Sequence, residues 1–168
     1  ATVDLNGPTA CTVEGPDARD AILERLGPDP IPPRSKPDRM LEKCSRSRRT
    51  IGELLMDQSV VAGIGNVYRA EVLFVNGINP FRSARDCDEA ELRSIWSTAQ
   101  GMLRDGVRAG RIVTVPRDES GVPRGQRIPR SEATYAYKRD RCLRCGTEIA
   151  RADMANRTVY WCPTCQPV

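Results

Sequence analysis

Four of the seven cysteines fall in two pairs, Cys142-x2-Cys145 and Cys162-x2-Cys165, separated by residues 146–161. Two such turns can set four thiolates at tetrahedral distances, and the spacing lies within the range of a four-cysteine zinc site. With every position filled by protein, no open coordination site remains for water, so the expected cofactor is one structural zinc ion rather than a catalytic one. Gly146 follows the second ligand and permits the tight turn that faces backbone amides toward the sulfurs. Disulfides are the alternative, but seven is an odd number and the CxxC pairing in a chain with no visible secretory signal favours metal. The chain has no histidine, which excludes Ser–His and Cys–His catalysis within it and leaves only cysteine and carboxylate as metal ligands.

A second group is suited to holding an anion. Ser59 to Asn66 is a turn containing Gly63 and Gly65, and it feeds directly into a helix opening at Asn66. Backbone N–H groups at the positive end of a helix dipole form a ready phosphate site. No Lys-Ser/Thr follows and no strand precedes, so this is not a nucleotide-binding P-loop; a plain turn between helices is the alternative. The net charge is +4, from 26 basic and 22 acidic residues. Arg34 to Arg49 carries seven basic residues against Asp38 and Glu42, residues 111–130 and 138–157 are also basic, and acids collect from Asp86 to Glu91. One basic face and one acidic edge suit a polyanion such as DNA, although a solvated surface has the same composition. Arg157 lies where a hairpin turn would present its guanidinium outward. No apolar run reaches the roughly 18 residues of a membrane span, and the expectation is a soluble, cytoplasmic protein without membrane contact.

Several elements must position these groups. Residues 1–15 read as a strand and turn left from a preceding β domain. Asp17 can start a short helix to about Leu26, and a proline-rich connector then runs to Pro37. Asp38 is expected to cap a helix to about Arg48. Thr50 and Glu53 have capping-box spacing for a third helix over 51–57. The helix from Asn66 to about Asn76 is apolar nearly all round and should lie inside the fold. Asp88 and Glu91 start the longest helix, to about Ala109, burying Leu92, Ile95, Trp96, Ala99 and Leu103. Residues 16–110 are thus one helical domain, 111–134 mostly loop, and 135–168 a finger with room for a β-hairpin between Thr147 and Trp161.

The run Leu55-Met56-Asp57-Gln58-Ser59-Val60-Val61-Ala62-Gly63-Ile64-Gly65-Asn66-Val67-Tyr68 resembles the helix–two-turns–helix signature of the formamidopyrimidine-DNA glycosylase/endonuclease VIII family. Cys142-x2-Cys145-Gly146, with Arg157 and Tyr160-Trp161-Cys162-Pro163-Thr164-Cys165-Gln166, resembles that family's terminal zinc finger. Both signatures occur in the family's order, and the resemblance runs from about Gly27 to the end. It implies a mainly α fold, a helix–two-turns–helix domain followed by a small β-hairpin zinc finger. Asn66 matches an asparagine that holds phosphates beside the damaged nucleotide, and Arg157 a finger arginine on the same backbone segment. Tyr137 and Arg139 match a Tyr-x-Arg segment entering the finger, although the stretch from Arg139 to Cys142 is shorter than the family pattern. The Tyr-Trp-Cys-Pro ending is closer to the endonuclease VIII branch.

The family's nucleophile is the amino group of an N-terminal proline, with a neighbouring glutamate as acid/base, on a separate β-sandwich domain. This chain opens Ala1-Thr2-Val3-Asp4. The expectation is therefore the C-terminal DNA-binding part of a bifunctional DNA glycosylase/abasic-site lyase, with no catalytic residue of its own and inactive alone. Its expected partner is damaged double-stranded DNA, bound as a monomer. The rival reading is a standalone nucleic-acid-binding zinc module without catalysis, and a zinc ribbon for protein contacts is a more distant third.

Overall fold

The computed structural model describes residues 13–168, so all but the end of the strand and turn expected over 1–15 lies outside the described residues. Five helices follow: α1 (Pro16–Arg25), α2 (Asp38–Ser45), α3 (Ile51–Leu54), α4 (Asn66–Val75) and α5 (Glu89–Ala109). Short 3-10 turns lie at Ala84–Asp86 and Arg130–Glu132, and one hairpin, β1 (Ala150–Met154) and β2 (Arg157–Trp161), closes the chain. None of the helices among the described residues is long and apolar enough to cross a membrane.

Local sequence explains most of the boundaries. α3 and α5 both begin with reciprocal capping boxes. Thr50 accepts from the Glu53 amide while Glu53 accepts from the Thr50 amide, and Asp88 and Glu91 do the same. Asp38 was expected to cap α2, but Pro37 occupies the cap position and Asp38 lies in the first turn, facing the positive dipole end. α3 stops at Leu54 rather than 57, because Asp57 turns its carboxylate onto the Ser59 amide (3.0 Å) and hydroxyl (2.7 Å). That local alternative competes with continued helix. α1 buries none of its side chains.

Two apolar clusters organise the rest. Met40 and Cys44 of α2, Ile51 and Leu54 of α3, Tyr68, Val72 and Leu73 of α4, and Leu92, Ile95, Trp96, Ala99 and Leu103 of α5 share the first. Burial pushes the Cys44 thiol up to about 12, which suits an inert packing role. The second joins Phe74 on the other side of α4 to Val115, Tyr135, Ala136, Cys142, Ile149 and Cys162, with Phe74 and Tyr135 stacked at 4.9 Å. α4 therefore lies between the bundle and the finger. β1 and β2 pair antiparallel from Ala150↔Trp161 to Met154↔Arg157, and the two turn residues Ala155 and Asn156 both have positive φ (52° and 58°). Those are the dihedral signs of a type I′ hairpin turn.

The connector after α1 is held tightly against the α3–α4 turn. The Gly27 amide donates to Gln58 O at 2.8 Å and the Ala62 amide to Pro28 O at 3.1 Å. A Cβ on Gly27 would lie 2.4 Å from both Val60 C and Val60 O, which are backbone atoms that cannot swing aside. Gly27→Ala should therefore destabilise the fold by about 1–3 kcal/mol through overpacking. Gly101, mid-way along α5 with nothing within 4 Å of a Cβ, should respond oppositely. Gly101→Ala should gain up to about 1 kcal/mol from helix propensity. Thermal unfolding of both variants checks the pair: equal shifts would mean that the contact with Val60 is not tight.

Candidate nucleic-acid interface and metal centre

The four finger cysteines have their sulfurs within 4.8 Å of one another. Cys142 and Cys165 Sγ are 3.9 Å apart, and Cys145 and Cys162 Sγ 3.4 Å. Zinc–sulfur bonds of about 2.3 Å on a tetrahedron require sulfur–sulfur edges of about 3.8 Å, so the cluster is close to the size this ion needs. Gly146 has φ +74° and returns its amide to Cys142 O, as expected of the turn after a ligand pair. The Thr147 side chain and backbone hold the exposed Cys145 thiol down at about 6, whereas burial pushes Cys142 and Cys165 up. A divalent cation at the centre favours thiolate at all four. The finger binds one structural zinc ion.

The finger is also plugged into the bundle. Gln166, fully buried, accepts from the Cys162 amide (3.0 Å) and donates to Ile78 O (2.8 Å), while Asn79 donates to Gln166 O (2.9 Å). Met154 at the end of β1 packs on Gly52 and lies near the Thr50 hydroxyl.

Among the expected phosphate residues, Gly63 is exposed with φ +83°, a conformation that favours glycine. Its amide is already occupied, donating to Gln58 Oε1 at 2.9 Å, and Gln58 Nε2 donates on to Ile64 O at 2.9 Å. This side chain, unremarked in the sequence reading, staples the turn. Gly65 is the N-cap of α4 and supplies no side-chain cap. Among the described residues no acceptor meets the amides of Gly65, Asn66 and Val67, and nothing lies within 4 Å of a Cβ on Gly65. A bare helix N-terminus is thus open to an approaching anion.

Asn66 reaches the finger next to Arg157. Asn66 Nδ2 donates to Thr158 O at 2.9 Å, one residue from Arg157. Arg157 opens β2 just after the hairpin turn, exposed and without an ion-pair or hydrogen-bond partner for its guanidinium among the described residues. Tyr137 and Arg139 lie where the chain enters the finger. Tyr137 packs edge-on against Tyr160 at 5.2 Å, and its amide donates to Glu71. Arg139 braces its own loop, donating to Ser131 O and Thr134 O and pairing with Glu132 at 3.3 Å. Both line a cleft of about 640 Å³ with Arg111, Arg127, Arg130 and Lys138.

Two charged residues of this region escaped the sequence reading. Arg69 and Glu71 lie fully buried on α4. The available signal was two charges in a helix otherwise apolar on every side, because charges in such a place need partners.

A helical bundle in which two turns lead to the bare N-terminus of α4, followed by a four-thiolate finger, is the arrangement of the helix–two-turns–helix class. The formamidopyrimidine-DNA glycosylase H2TH domain model matches residues 26–117, and the zinc finger found in FPG and IleRS matches residues 139–168. The chain belongs to the formamidopyrimidine-DNA glycosylase/endonuclease VIII family. It is 40% identical over 167 residues to Endonuclease 8 1 of Mycobacterium tuberculosis, covering 97% of this chain and 61% of that protein. It is 34% identical over 146 residues to the formamidopyrimidine-DNA glycosylase of Geobacter sulfurreducens, covering 86% and 53%. The chain thus spans little more than half the length of these relatives. Among solved structures, MutM in complex with carbocyclic 8-oxo-G containing DNA superposes with a TM-score of 0.71 at 25% identity, covering 90% of this chain and 54% of that one. The Lactococcus lactis Fpg in complex with FAPY-dG containing DNA has the same fold, with a TM-score of 0.72 at 24% identity and coverage of 90% and 55%.

Thiolate ligands couple metal binding to folding of the finger. Cys145→Ser should abolish stoichiometric zinc and remove amide-exchange protection after about residue 140, since metal binding supplies about 10–16 kcal/mol in isolated fingers. The first apolar cluster lies between Met40 and Leu103, so the bundle should keep its protection. Metal analysis and exchange on the same sample check both halves, and retention of zinc in the variant would refute the ligand set.

Proposed function

We propose that this chain is the DNA-gripping part of a bifunctional DNA glycosylase/abasic-site lyase that removes oxidised bases in base excision repair. The observation that supports the reading is the Asn66–Thr158 hydrogen bond, which ties the uncapped N-terminus of α4 to the residue after Arg157, whose guanidinium is unpaired among the described residues. The bound partner is damaged double-stranded DNA, taken up by a monomer. Residues 16–110 and 135–168 act as two jaws joined by 111–134, and Gly65, Asn66 and Arg157 hold one phosphate segment. Gly63 shapes the turn, while Tyr137 and Arg139 face the nucleic acid from the basic cleft. The bond-breaking amine and its acid/base partner lie, in this reading, outside these 168 residues, so the chain by itself does not cleave DNA. The name borne by the 40%-identical relatives and the Tyr160-Trp161-Cys162-Pro163 ending support the endonuclease VIII branch.

Phosphate contacts position a duplex without reading its sequence, so binding should be nearly indifferent to base composition and weaken as salt rises. Arg157→Ala removes one cation and should flatten the log–log salt slope by about one unit. Asn66→Ala removes a neutral donor, so affinity should fall with the slope unchanged. A titration of duplex carrying an abasic-site analogue, at several salt concentrations and with zinc content checked, tests both. Equal slopes for the parent and Arg157→Ala would show that this arginine is only solvated.

A further inference from the structure

Arg69 is 0% exposed, one helical turn after Asn66 on α4. Its Nη2 donates to Asn66 Oδ1 and lies 3.4 Å from Thr158 O, and its Nη1 lies 3.4 Å from Met154 O. Its Nε is buried with no partner. No carboxylate pairs with it among the described residues, and burial pushes its pKa down with no opposing charge to raise it. A guanidinium nevertheless stays protonated in proteins. A buried cation without a counter-ion is costly.

We infer that Arg69 is the buried half of the phosphate grip: a positioning residue that fixes which way the Asn66 amide faces, and whose missing counter-charge is a phosphate of the bound DNA. The inference rests on the DNA reading above and goes beyond it. An asparagine amide presents either an oxygen or an NH2 group, and an oxygen toward phosphate would repel it. Because Oδ1 accepts from Arg69, Nδ2 must occupy the other branch, where one N–H goes to Thr158 O and the second remains unspent. That second N–H and the bare amides at the start of α4 belong to neighbouring residues, Arg157 precedes the Thr158 whose carbonyl Asn66 holds, and the Arg69 guanidinium backs the Asn66 oxygen.

The test compares the parent with Arg69→Met, which keeps length without charge, and Arg69→Lys, which keeps charge without the planar fork. Zinc content, the side-chain NH2 resonances of Asn66 and affinity for abasic-analogue duplex are read on each. In the parent the two Asn66 NH2 protons should be well separated and protected. In Arg69→Met they should move toward solvent values, and affinity should drop about tenfold or more, the scale of a lost charge-assisted hydrogen bond. Arg69→Lys should shift the same resonances yet recover most of the affinity. Unchanged Asn66 resonances in Arg69→Met, or parental affinity in that variant, would overturn the inference while leaving the DNA reading intact. Should Arg69→Met lose zinc, Arg69→Lys decides: affinity as low as that of Asn66→Ala would show that charge behind the amide does not matter. A parent that fails to bind the duplex at low salt sinks the DNA reading and the counter-charge with it, and the NH2 resonances then decide the positioning role alone.

Discussion

The carboxylate of Glu71, fully buried on α4, accepts hydrogen bonds from the amides of Tyr135 (2.6 Å), Ala136 (2.9 Å) and Tyr137 (2.9 Å) and from the Thr114 hydroxyl (2.5 Å). Burying a carboxylate costs several kcal/mol, and only a full set of charge-assisted bonds offsets it. Once made, those bonds leave no freedom to the chain entering the finger. Tyr135 is held where its ring stacks on Phe74, and Arg144 lies over both rings at 5.0 and 5.3 Å. The first zinc ligand follows seven residues after Tyr135, so Glu71 fixes the chain's entry to the metal centre, and the Gln166, Met154 and Thr158 contacts hold its far side.

The two buried charges of α4 are treated differently. Glu71 is satisfied four times over by the protein itself, whereas Arg69, half a turn earlier, has an unmet Nε and no anion among the described residues. A helix that needed only to pack would carry neither. The satisfied charge fixes the finger's entry, and the unsatisfied one lies under the hairpin that presents Arg157. A clamp for a phosphate needs both properties: jaws that do not move relative to each other, and a deficit of negative charge between them. Contacts to the backbone of a polyanion gain little from flexible surface cations, whose side chains must be ordered on binding, and more from donors ordered in advance.

How much of this was legible in the sequence follows from the range of the interactions. The capping boxes at Thr50/Glu53 and Asp88/Glu91 are written within four residues, and the structure has both. The thiolate spacing is equally local within each pair, and the sixteen intervening residues leave little choice but a hairpin. The end of α3 was misplaced because the competing bond from Asp57 to Ser59 is a side-chain choice that periodicity does not register. The partners of Arg69, Glu71 and Gln166 were unreadable for a different reason. Each reaches far along the chain, from Arg69 to Met154 and Thr158, from Glu71 to Tyr135 and from Gln166 to Ile78, and no short window contains both ends. Gln58 bonds only five and six residues on, a local side-chain choice that periodicity does not register. The resemblance implied that Asn66 and Arg157 serve one phosphate segment, without a local reason for their proximity. The Asn66–Thr158 bond ties Asn66 to the residue that follows Arg157.

The hairpin turn shows how far this tertiary control extends. A type I′ turn asks for residues that tolerate positive φ, and Asn-Gly is the favoured pair. Here Ala155 and Asn156 fill it, and alanine at φ 52° is strained by roughly 1–3 kcal/mol. Local chemistry alone would let this strand pair slip or open into a longer loop. It does neither, because both ends of the turn are held from outside. Met154 rests on Gly52, where a Cβ would come within 2.7 Å of its sulfur, and its carbonyl faces Arg69. Thr158, on the other strand, gives its carbonyl to Asn66 and Arg69. The turn therefore keeps a conformation that its own residues disfavour, and Arg157 is exposed at its end by contacts that belong to α3 and α4. The direction in which this guanidinium faces solvent is a property of the helical bundle as much as of the finger.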